Sequence, residues 1–563
     1  MTFYENITGL IKKVTDEALN LAKEKGELSF ETIPAYLIEE PRDKSFGDFS
    51  VNAAMMMAKQ AKCAPRAVAE ILVSNMKTEG TYIQAVSVAG PGFINFQLDP
   101  VYVTEILRTI EQEQDGFGKT DFGGGKKVNV EFVSANPTGP MHMGNARGGA
   151  LGDCLANIMQ MAGFDVTKEF YVNDAGNQIE KLAVSLAARY KQALLGEDAV
   201  EFPEDGYHGD DVKFHAKNFA DTYGDKFLHV PEEELKKALI DATLYKNIDA
   251  MKEGLSAYGI HYDTWFHESE LHNKNDVLKT VEELTKRGYT YEKEGAIWFK
   301  ATDFGLEKDD VLVRANGFVT YFAADIAYHK NKFIDREFDT AIDIWGADHH
   351  GHVARLKAAM QALGIEPDRL EIVLMQLVRL VRDGEAVRMS KRTGKAITLG
   401  DLLEEIGVDA ARFFFNMRQA NSHFEFDLEL AVSQSSDNPV FYVQYAHARI
   451  CGIIKLLEQK GIGVKTCDGL ALSCLTHPKE IDLMKELSKF PEEIKQAAIL
   501  RDPSKITKYS MDLATAFHGF YSACKVDSED AQLTQARLKL VSATGQVIKN
   551  ALTVLGISAP EHM

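Results

Sequence analysis

Strand, helix and strand patterns follow one another between Val128 and Asp174, and this order restricts the possible folds most. VNVEFV (128–133) is a short β-rich run, ARGGALGDCLANIMQMAGF (146–164) has helical spacing, and VTKEFYVND (166–174) predicts a second strand. This is the spacing of a strand–helix–strand unit, whose two strands are parallel and whose crossover is right-handed. The sequence therefore predicts an α/β fold with a parallel sheet.

Further patterns extend this unit in both directions. TAIDIWGA (340–347) and EIVLMQLV (371–378) predict strands, with a helix pattern between them. We therefore expect a Rossmann-like doubly wound domain over 122–400, interrupted by a charged helical insertion at about 180–300. A helix and the strand-like stretch 86–98 predict an α+β domain over 1–115, and the polar, glycine-rich segment 111–127 indicates a linker. From Leu402 onward the pattern is helical, which predicts connecting helices over 401–437 and an all-α bundle over 438–563.

Charge and cysteine content exclude several classes of protein. The formal net charge is −20, so a nucleic-acid partner would have to be bound by local basic patches. The six cysteines form no Cys-x-x-Cys pair, which argues against a disulfide framework and a thiolate zinc site. The N-terminus lacks the apolar core of a signal peptide, and no window has the ~18 apolar residues of a membrane span. We expect a cytoplasmic protein with no membrane contact.

The stretch SANPTGPMHMGNARGG (134–149) lies where the first predicted strand turns into a helix. Ligands of doubly wound sheets bind beyond the carboxyl ends of the strands, where helix N-termini attract phosphate. His142 and Asn145 offer neutral hydrogen-bond donors, and Gly144 allows a nucleotide to approach the backbone. An ordinary strand-to-helix loop with a solvated histidine is the alternative interpretation.

A basic, glycine-containing segment follows much further along the chain. RMSKRTGK (388–395) ends a stretch from Arg379 with six basic and two acidic residues. Such a segment suits the charge that develops on a leaving pyrophosphate. Such a run of basic residues more often forms a solvated turn. Here, however, it follows the histidine-containing turn in the expected order within the predicted α/β domain.

These two motifs resemble the H-x-G-H and K-M-S-K signatures of class I aminoacyl-tRNA synthetases. The longer stretches EFVSANPTGPMHMGNARGGALGD and YVNDAGNQI resemble the arginyl-tRNA synthetase family in particular. GDFSVNAAM and AGPGFINF are similar to that family's N-terminal domain, and YVQYAHARI and VLGISAPEHM to its C-terminal anticodon-binding domain. The chain departs from the signatures at Asn145, in the second histidine position, and at Arg388, in the first lysine position.

The resemblance implies ATP-dependent ligation of L-arginine to its cognate tRNA through an arginyl-adenylate. It implies catalytic roles for His142, Asn145, Ser390 and Lys391, and an ATP site that also includes Gly144 and Met389. ATP would enter with Mg²⁺, held mainly by the nucleotide and water, and no tightly bound cofactor or resident metal is expected. We also expect a monomer.

Similarity to the family further points to a set of arginine-binding residues: Glu131, Ser134, Asn136, Asn145, Tyr321, Asp325 and His349. Tyr321 and Asp325 are four residues apart and would share one helix face, so we assign them to the guanidinium end. Glu131, Ser134 and Asn136 would then act near the substrate's amine and carboxylate. An ordinary exposed helix carboxylate is the alternative for Asp325.

The segment GADHHGH (346–352) contains three histidines and an aspartate, which are possible ligands of a transition metal. Neighbouring residues at a strand end point to opposite faces, and no Cys or Glu at helical spacing completes a tetrahedral set. A wall of the nucleotide or amino-acid site is the favoured interpretation, and a buried, hydrogen-bonded histidine the other.

The family assigns the N-terminal domain to the tRNA elbow and the C-terminal bundle to the anticodon. Unpaired bases are read by aromatic stacking and edge hydrogen bonds. Phe441, Tyr445 and Ile453 recur at helix-core spacing, so we name only Tyr442 and Arg449 as RNA contacts. Another class I synthetase, an RNA-independent adenylate-forming nucleotidyltransferase and a non-catalytic RNA-binding paralogue are the competing functions.

Overall fold

A computed structural model describes residues 3–41, 43–387 and 397–563. In the first part of the chain, helices pack on an antiparallel four-stranded sheet of order β1-β2-β4-β3. Its elements are α1 (Phe3–Glu24), β1 (Ile38–Glu39), β2 (Phe49–Val51), α2 (Ala53–Ala61), α3 (Pro65–Asn75), β3 (Ile83–Ala89), β4 (Phe93–Leu98) and α4 (Val101–Glu113). The predicted strand-like stretch 86–98 is thus a hairpin of two strands, because the backbone turns at Gly90 and Gly92, which both have positive φ.

The glycine-rich segment after α4 packs against the rest of the protein. Phe117 is buried, and its ring lies 6.2 Å from that of Phe490. The backbone N–H groups of Thr120 and Gly123 donate to carbonyls at the end of the helix that follows the first parallel strand. The segment expected as a linker is therefore held in place by backbone hydrogen bonds.

The central part of the chain contains a five-stranded, fully parallel sheet of order β12-β11-β5-β6-β7. Its strands are β5 (Lys127–Glu131), β6 (Asp165–Val172), β7 (Thr264–His267), β11 (Thr340–Gly346) and β12 (Leu370–Met375). Its helices are α5 (Gly144–Met161), α6 (Asn177–Leu195), α7 (Asp210–Tyr223), α8 (Glu232–Ala257), α9 (Glu268–Asn273), α10 (Asp276–Lys286), α11 (Tyr321–Lys330) and α12 (His350–Ala362). The strand order reverses beside β5, and the crevice at such a switch point is where these sheets bind ligands.

The predicted helical insertion is confirmed only for its first part. α6, α7 and α8 share a small hydrophobic core of their own. The chain then returns to the parallel sheet as its edge strand β7, α9 and α10 follow, and a small antiparallel sheet begins at Thr290, so the expectation of a helical segment up to about residue 300 is wrong at β7 and from Thr290 onward. The added sheet consists of β8 (Thr290–Lys293), β9 (Ala296–Phe299) and β10 (Asp310–Val313). Strands of four residues are too short to show a clear period in the sequence.

Beyond β12 the sequence-based expectation needs two corrections. The strand expected over 371–378 ends at Met375, and β13 (Val378–Arg382) lies in another sheet, because the N–H of Gln376 donates to the carbonyl of Ala420. The region expected to be helical from Leu402 contains β15 (Phe424–Asp427), which pairs in parallel with β13. The remaining elements are β14 (Glu385–Ala386), α13 (Leu399–Ile406), α14 (Val408–Asn416), α15 (Leu428–Val432), α16 (Pro439–Gln459), α17 (Pro478–Ser488), α18 (Phe490–Leu500), α19 (Ser504–Ala523) and α20 (Ala531–Val554).

The C-terminal helices α16 to α20 pack around one another in a bundle, as predicted. In the described ranges, no helix has the length and apolar character needed to span a membrane. All six cysteines are free thiols.

Candidate nucleotide and amino-acid site

The turn between β5 and α5 starts with strained backbone. Val133 and Ser134 have φ values of +69° and +40°, and the N–H of Ser134 donates to the carbonyl of Phe132 at 3.0 Å. A three-residue turn with positive φ at a β-branched centre is unfavourable, and such strain is found at functional sites. The turn leads to the start of α5 at Gly144, next to the sheet's switch point.

His142 presents a hydrogen-bond donor at the start of α5. Its Nδ1 accepts from the N–H of Gly144 at 3.3 Å, so the neutral ring carries its proton on Nε2. The backbone N–H of His142 donates to Oδ1 of Asn145 at 3.1 Å, which leaves the Asn145 amide group as a donor for a ligand. His142 and Gly144 are exposed, at the positive end of an 18-residue helix. Two donors and a helix N-terminus favour an anion here.

The chain after the basic segment returns to this turn. Residues 388–396, and with them Arg388, Met389, Ser390 and Lys391, lie outside the described residues. Where the described chain resumes, the carbonyl of Ile397 accepts from the N–H of Met143 at 3.0 Å, and the N–H of Leu399 donates to the carbonyl of Met141, also at 3.0 Å. The chain that follows the basic segment is therefore joined to the backbone on both sides of His142.

The predicted helix that carries Tyr321 and Asp325 is confirmed as α11. Oδ2 of Asp325 accepts from Nε2 of His352 at 2.7 Å, and Nδ1 of His352 accepts from Nε of Arg355 at 2.6 Å. Arg355 in turn donates to Asp310 at 3.0 Å. This chain fixes the His352 tautomer and holds the Asp325 carboxylate in one orientation.

Tyr321 is exposed and lines a cleft of about 710 Å³. Glu180, Glu233 and Glu268 contribute carboxylates to the same cleft, and Arg314 contributes a cation. Glu268 is buried, and one of its oxygens lies 3.2 Å from Nε2 of His272. Lys236 pairs with Glu180 at 2.6 Å and with Glu233 at 3.1 Å, so the remaining negative excess of the cleft is small, and it favours a cationic ligand mainly through Glu268. Sequence reasoning missed Glu268 because it opens a short helix without any motif.

The turn residues lie at a second cleft. Asn136, His142 and Asn145 together line a space of about 270 Å³, closed from the other side by Tyr207 and Asp211 at the start of α7. The helical insertion thus contributes one wall beside the His142 turn, which the sequence did not reveal. Gly144 leaves this approach open, since an added Cβ would meet only Nδ1 of His142, at 3.6 Å.

Glu131 and Ser134 are joined to each other. The hydroxyl of Ser134 donates to Oε1 of Glu131 at 2.9 Å and accepts from the N–H of Tyr171 at 3.1 Å. Glu131 is buried at 7% exposure, and Lys332 lies between it and Asp343. Burial raises the pKa of Glu131, whereas Lys332 and His329 overcome burial and lower the pKa of Asp343 to about 2.

The histidine-rich segment 346–352 is divided between a short 3₁₀ turn and α12. His352 is the partner of Asp325, whereas His349 is exposed, with its ring 6.2 Å from that of Trp345. In the ranges given above, no three His, Cys, Asp or Glu side chains are grouped so that they could hold a metal ion. Neither of the two clefts is lined by His349.

The start of α16 presents aromatic rings to solvent. Tyr445 is 40% exposed and stacks on Phe441 at 6.1 Å, so the expectation that Tyr445 is a core residue is wrong. The buried face of α16 is formed instead by the neighbouring apolar positions, among them Val440, Val443, Ala446 and Ile450. Phe441 and Ile453 are half-buried.

The two residues named as RNA contacts lie in this surface. The ring of Tyr442 is 4.9 Å from that of His518, and its hydroxyl lies 3.4 Å from Oγ1 of Thr515. The guanidinium of Arg449 lies over the rings of Tyr521 and Tyr445, at 4.5 and 5.5 Å. Tyr442, Tyr445 and Arg449 thus form one continuous surface of rings and positive charge.

Family models match three successive parts of the chain. Residues 6–98 match the arginyl tRNA synthetase N terminal domain, residues 105–436 the catalytic domain of tRNA synthetases class I (R), and residues 443–563 the DALR anticodon binding domain.

Full-length relatives give the same result. The chain is 57% identical to an arginine–tRNA ligase of Caldanaerobacter subterraneus and 55% identical to one of Ruminiclostridium cellulolyticum, with 98% of both chains covered in each case. Its fold resembles the Thermus thermophilus arginyl-tRNA synthetase with a TM-score of 0.74, at 22% identity, over 98% of this chain and 100% of that one.

Proposed function

The chain belongs to the arginyl-tRNA synthetase family of class I, and from that premise we propose which of its residues carry out the ATP-dependent charging of tRNA with arginine. The protein is an arginine–tRNA ligase, and its substrates are L-arginine, ATP and tRNA. The observation that carries the proposal is that Ile397 and Leu399, which follow the basic segment in the chain, are bonded to the backbone of the His142 turn at the start of α5.

The nucleotide binds with its phosphates at the N-terminus of α5. Nε2–H of His142 and the amide of Asn145 donate to phosphate oxygens, and Gly144 keeps the approach open. To Ser390 and Lys391, together with Met389, we assign the binding of the pyrophosphate as it leaves. ATP enters as its Mg²⁺ complex.

The carboxylate of arginine attacks the α-phosphorus in line, so the chain supplies position and charge rather than a nucleophile. The terminal ribose hydroxyl of tRNA then takes the arginyl group from the adenylate, and AMP leaves. A donor that strengthens as charge develops contributes about 10²–10³-fold in kcat. His142 and Lys391 are the groups to which we assign this contribution.

Arginine is held by its charged side chain at one end and its amine and carboxylate at the other. Asp325, fixed by His352, and Tyr321 bind the guanidinium, and Glu268, which lines the same cleft as Tyr321, adds to the attraction. Glu131, Ser134, Asn136, Asn145 and His349 serve the amine and carboxylate end. A lysine substrate would leave part of the fork-shaped hydrogen-bond set unpaired, at a cost of about 1–3 kcal/mol.

Three domains divide the work. Residues 1–115 bind the tRNA elbow, and residues 122–400 catalyse both steps. Residues 438–563 bind the anticodon through Tyr442 and Arg449. Residues 401–437 connect the catalytic domain to this anticodon-binding domain. The enzyme acts as a monomer in the cytoplasm.

The test is pyrophosphate exchange and tRNA aminoacylation with His142→Ala. We expect kcat to fall by about 10²-fold or more while arginine binding changes little, because a phosphate contact is lost. His261→Ala is the matched control, since this exposed histidine precedes the amino end of the edge strand β7, two strands from β5, and does not line the cleft at the His142 turn. Equal losses in the two variants would contradict the assignment of His142, and RNA-independent exchange with a different amino acid would favour a nucleotidyltransferase.

A further inference from the structure

Three carboxylates stand side by side on adjacent strands beneath the proposed arginine site. In the strand register, Glu131 of β5 is paired with Glu169 of β6 on one side and with Asp343 of β11 on the other. Paired residues point to the same face of a sheet, and neighbouring strands are about 4.8 Å apart. Glu169 and Asp343 are fully buried, and Glu131 nearly so. Such a row of like charges is unstable unless cations are built in beside it.

The cations come from the end of α11 and the π-helical turn that follows it, Asn331–Asp335. Lys332 is fully buried, and its Nζ lies 2.6 Å from Oε2 of Glu131 and 2.8 Å from Oδ1 of Asp343. His329 bonds the other oxygen of Asp343 at 2.7 Å, and Arg336 pairs with Glu169. A π-helical turn is often found at functional sites.

The hydroxyl of Tyr328 joins two of the carboxylates. It lies 2.7 Å from Oε2 of Glu131 and also bonds Oε1 of Glu169. A phenol has one proton, so both contacts are hydrogen bonds only when one carboxyl is protonated. Arg336 and Lys332 lower the pKa of Glu169 against the effect of burial, whereas the pKa of Glu131 is raised. Of these two carboxyl groups, Glu131 is therefore the one that is protonated first as the pH falls.

Glu131 also touches the site above it. Its Oε1 accepts from the hydroxyl of Ser134. α11, which carries Tyr328 and His329 and leads into the π-helical turn with Lys332, begins with Tyr321. The phenols Tyr171 and Tyr262 also face this region, and burial holds their pKa values well above the ordinary one, so they stay neutral. The charge on Glu131 is thus set by Lys332, Asp343 and Glu169, with His329 and Arg336 beside them.

We propose that Lys332 is a positioning residue for arginine binding: it holds Glu131 as an oriented carboxylate, and through it Ser134, without touching the substrate. The inference rests on the proposed role of Glu131 and Ser134 at the amine end of arginine. It requires that Glu131 be ionised when the arginine cation is bound. The kcat/KM for arginine should then fall at low pH along the titration of Glu131.

The test compares two variants that should shift the pKa of Glu131 in opposite directions. Lys332→Met removes the cation that lowers its pKa, so the acid limb of kcat/KM for arginine should move to higher pH, and KM for arginine should rise about tenfold or more. Asp343→Asn removes an anion that raises its pKa and leaves Lys332 to Glu131 alone, so the limb should move to lower pH. KM for ATP should not change. A twofold difference is small in free energy, so we count KM for ATP as unchanged if it stays within about twofold in both variants.

The control is Lys330→Met. Lys330 is the last residue of α11, two residues before Lys332, but it pairs with Glu283, 2.7 Å away and outside the row. Its acid limb should coincide with that of the parent enzyme. Shifts of the acid limb in opposite directions in Lys332→Met and Asp343→Asn indicate positioning, because a general loss of packing would not shift the limb in opposite directions. If Lys332→Met does not fold, the downward shift in Asp343→Asn carries the test.

An unmoved acid limb, shifts of the same sign, or equal rises in KM for arginine and ATP would overturn the inference. Failure of the parent enzyme to charge tRNA with arginine would instead contradict the proposed function. The two failures are therefore distinct.

Discussion

Three of the four glycines on α5 differ in which atoms an added methyl group would contact. Alanine substitutions at these positions can therefore distinguish an effect on ligand binding from an effect on core packing. At Gly144 a Cβ would lie 3.6 Å from Nδ1 of His142, and at Gly148 it would lie 3.5 Å from Cε of Met375, both ordinary contacts. At Gly152 it would lie 2.1 Å from Cγ of Phe132, a fully buried ring. Alanine substitutions at these positions should therefore have three different outcomes.

Gly152→Ala should lower the free energy of unfolding. Overpacking a buried ring costs about 1–3 kcal/mol, and the better helix propensity of alanine returns about 1 kcal/mol, so a net loss of up to about 2 kcal/mol is expected. Gly148→Ala should be neutral or slightly stabilising, since it adds helix propensity without a clash. Neither variant should change the KM for ATP of the folded protein.

Gly144→Ala should fold as well as the parent protein, yet lose activity. Its methyl group would occupy the open approach to the α5 N-terminus, where we place the phosphates, so kcat/KM for ATP should fall at least about tenfold, or about 1.4 kcal/mol. Thermal unfolding and ATP-dependent pyrophosphate exchange measure the two quantities on the same samples. A Gly144→Ala enzyme with unchanged kcat/KM for ATP would refute the placement of the nucleotide.

Four further outcomes test the proposal. Asp325→Asn should raise KM for arginine by about tenfold to a hundredfold, with KM for ATP unchanged, because one charge-assisted hydrogen bond is lost; an unchanged KM would assign the guanidinium elsewhere. Lys391→Ala should slow adenylate formation in single-turnover experiments far more than it weakens arginine binding, and equal losses would show that the lysine serves general binding. Arg412→Met should lower the free energy of unfolding by about 1–3 kcal/mol in chemical denaturation, because it removes one of the two cations that pair with the buried Asp153 carboxylate, the other being Lys168; an unchanged free energy of unfolding would show that Lys168 alone compensates Asp153. The affinity for tRNA should fall steeply between low and moderate salt, since phosphate contacts release counterions, and a flat titration would contradict phosphate binding.

Local sequence predicted the elements whose side chains repeat over a long window. The first parallel strand, the long helix α5 and the strand at Thr340 were all predicted within a few residues of their observed limits. The four-residue strands β7 and β15 were missed because so few residues carry no period. The break between β12 and β13 depends on a backbone bond from Gln376 to Ala420, and no local pattern encodes that contact.

The sequence likewise predicted some features of the candidate site and not others. The position of the His142 turn followed from local signals, because a helix start and a preceding strand are both visible in sequence. The partners of the key side chains were not visible, because His352 is 27 residues from Asp325 and Lys332 is 201 residues from Glu131. A lysine in an amphipathic pattern predicts a solvated side chain, and only the tertiary structure shows that Lys332 lies between two buried carboxylates.

One buried guanidinium connects the proposed ATP site with the C-terminal bundle. Arg412 of α14 is fully buried and donates to the carbonyl of Leu555 at 2.8 Å, just beyond the end of α20, and to the carbonyl of Tyr258 at 3.2 Å. It also pairs with Asp153, on the helix that begins at Gly144. A planar fork with three acceptors in different directions allows little independent movement of any of them. A displacement of α20, which lies in the part that matches anticodon-binding domains, relative to α5 would therefore break a hydrogen bond of Arg412 to Leu555 or to Asp153.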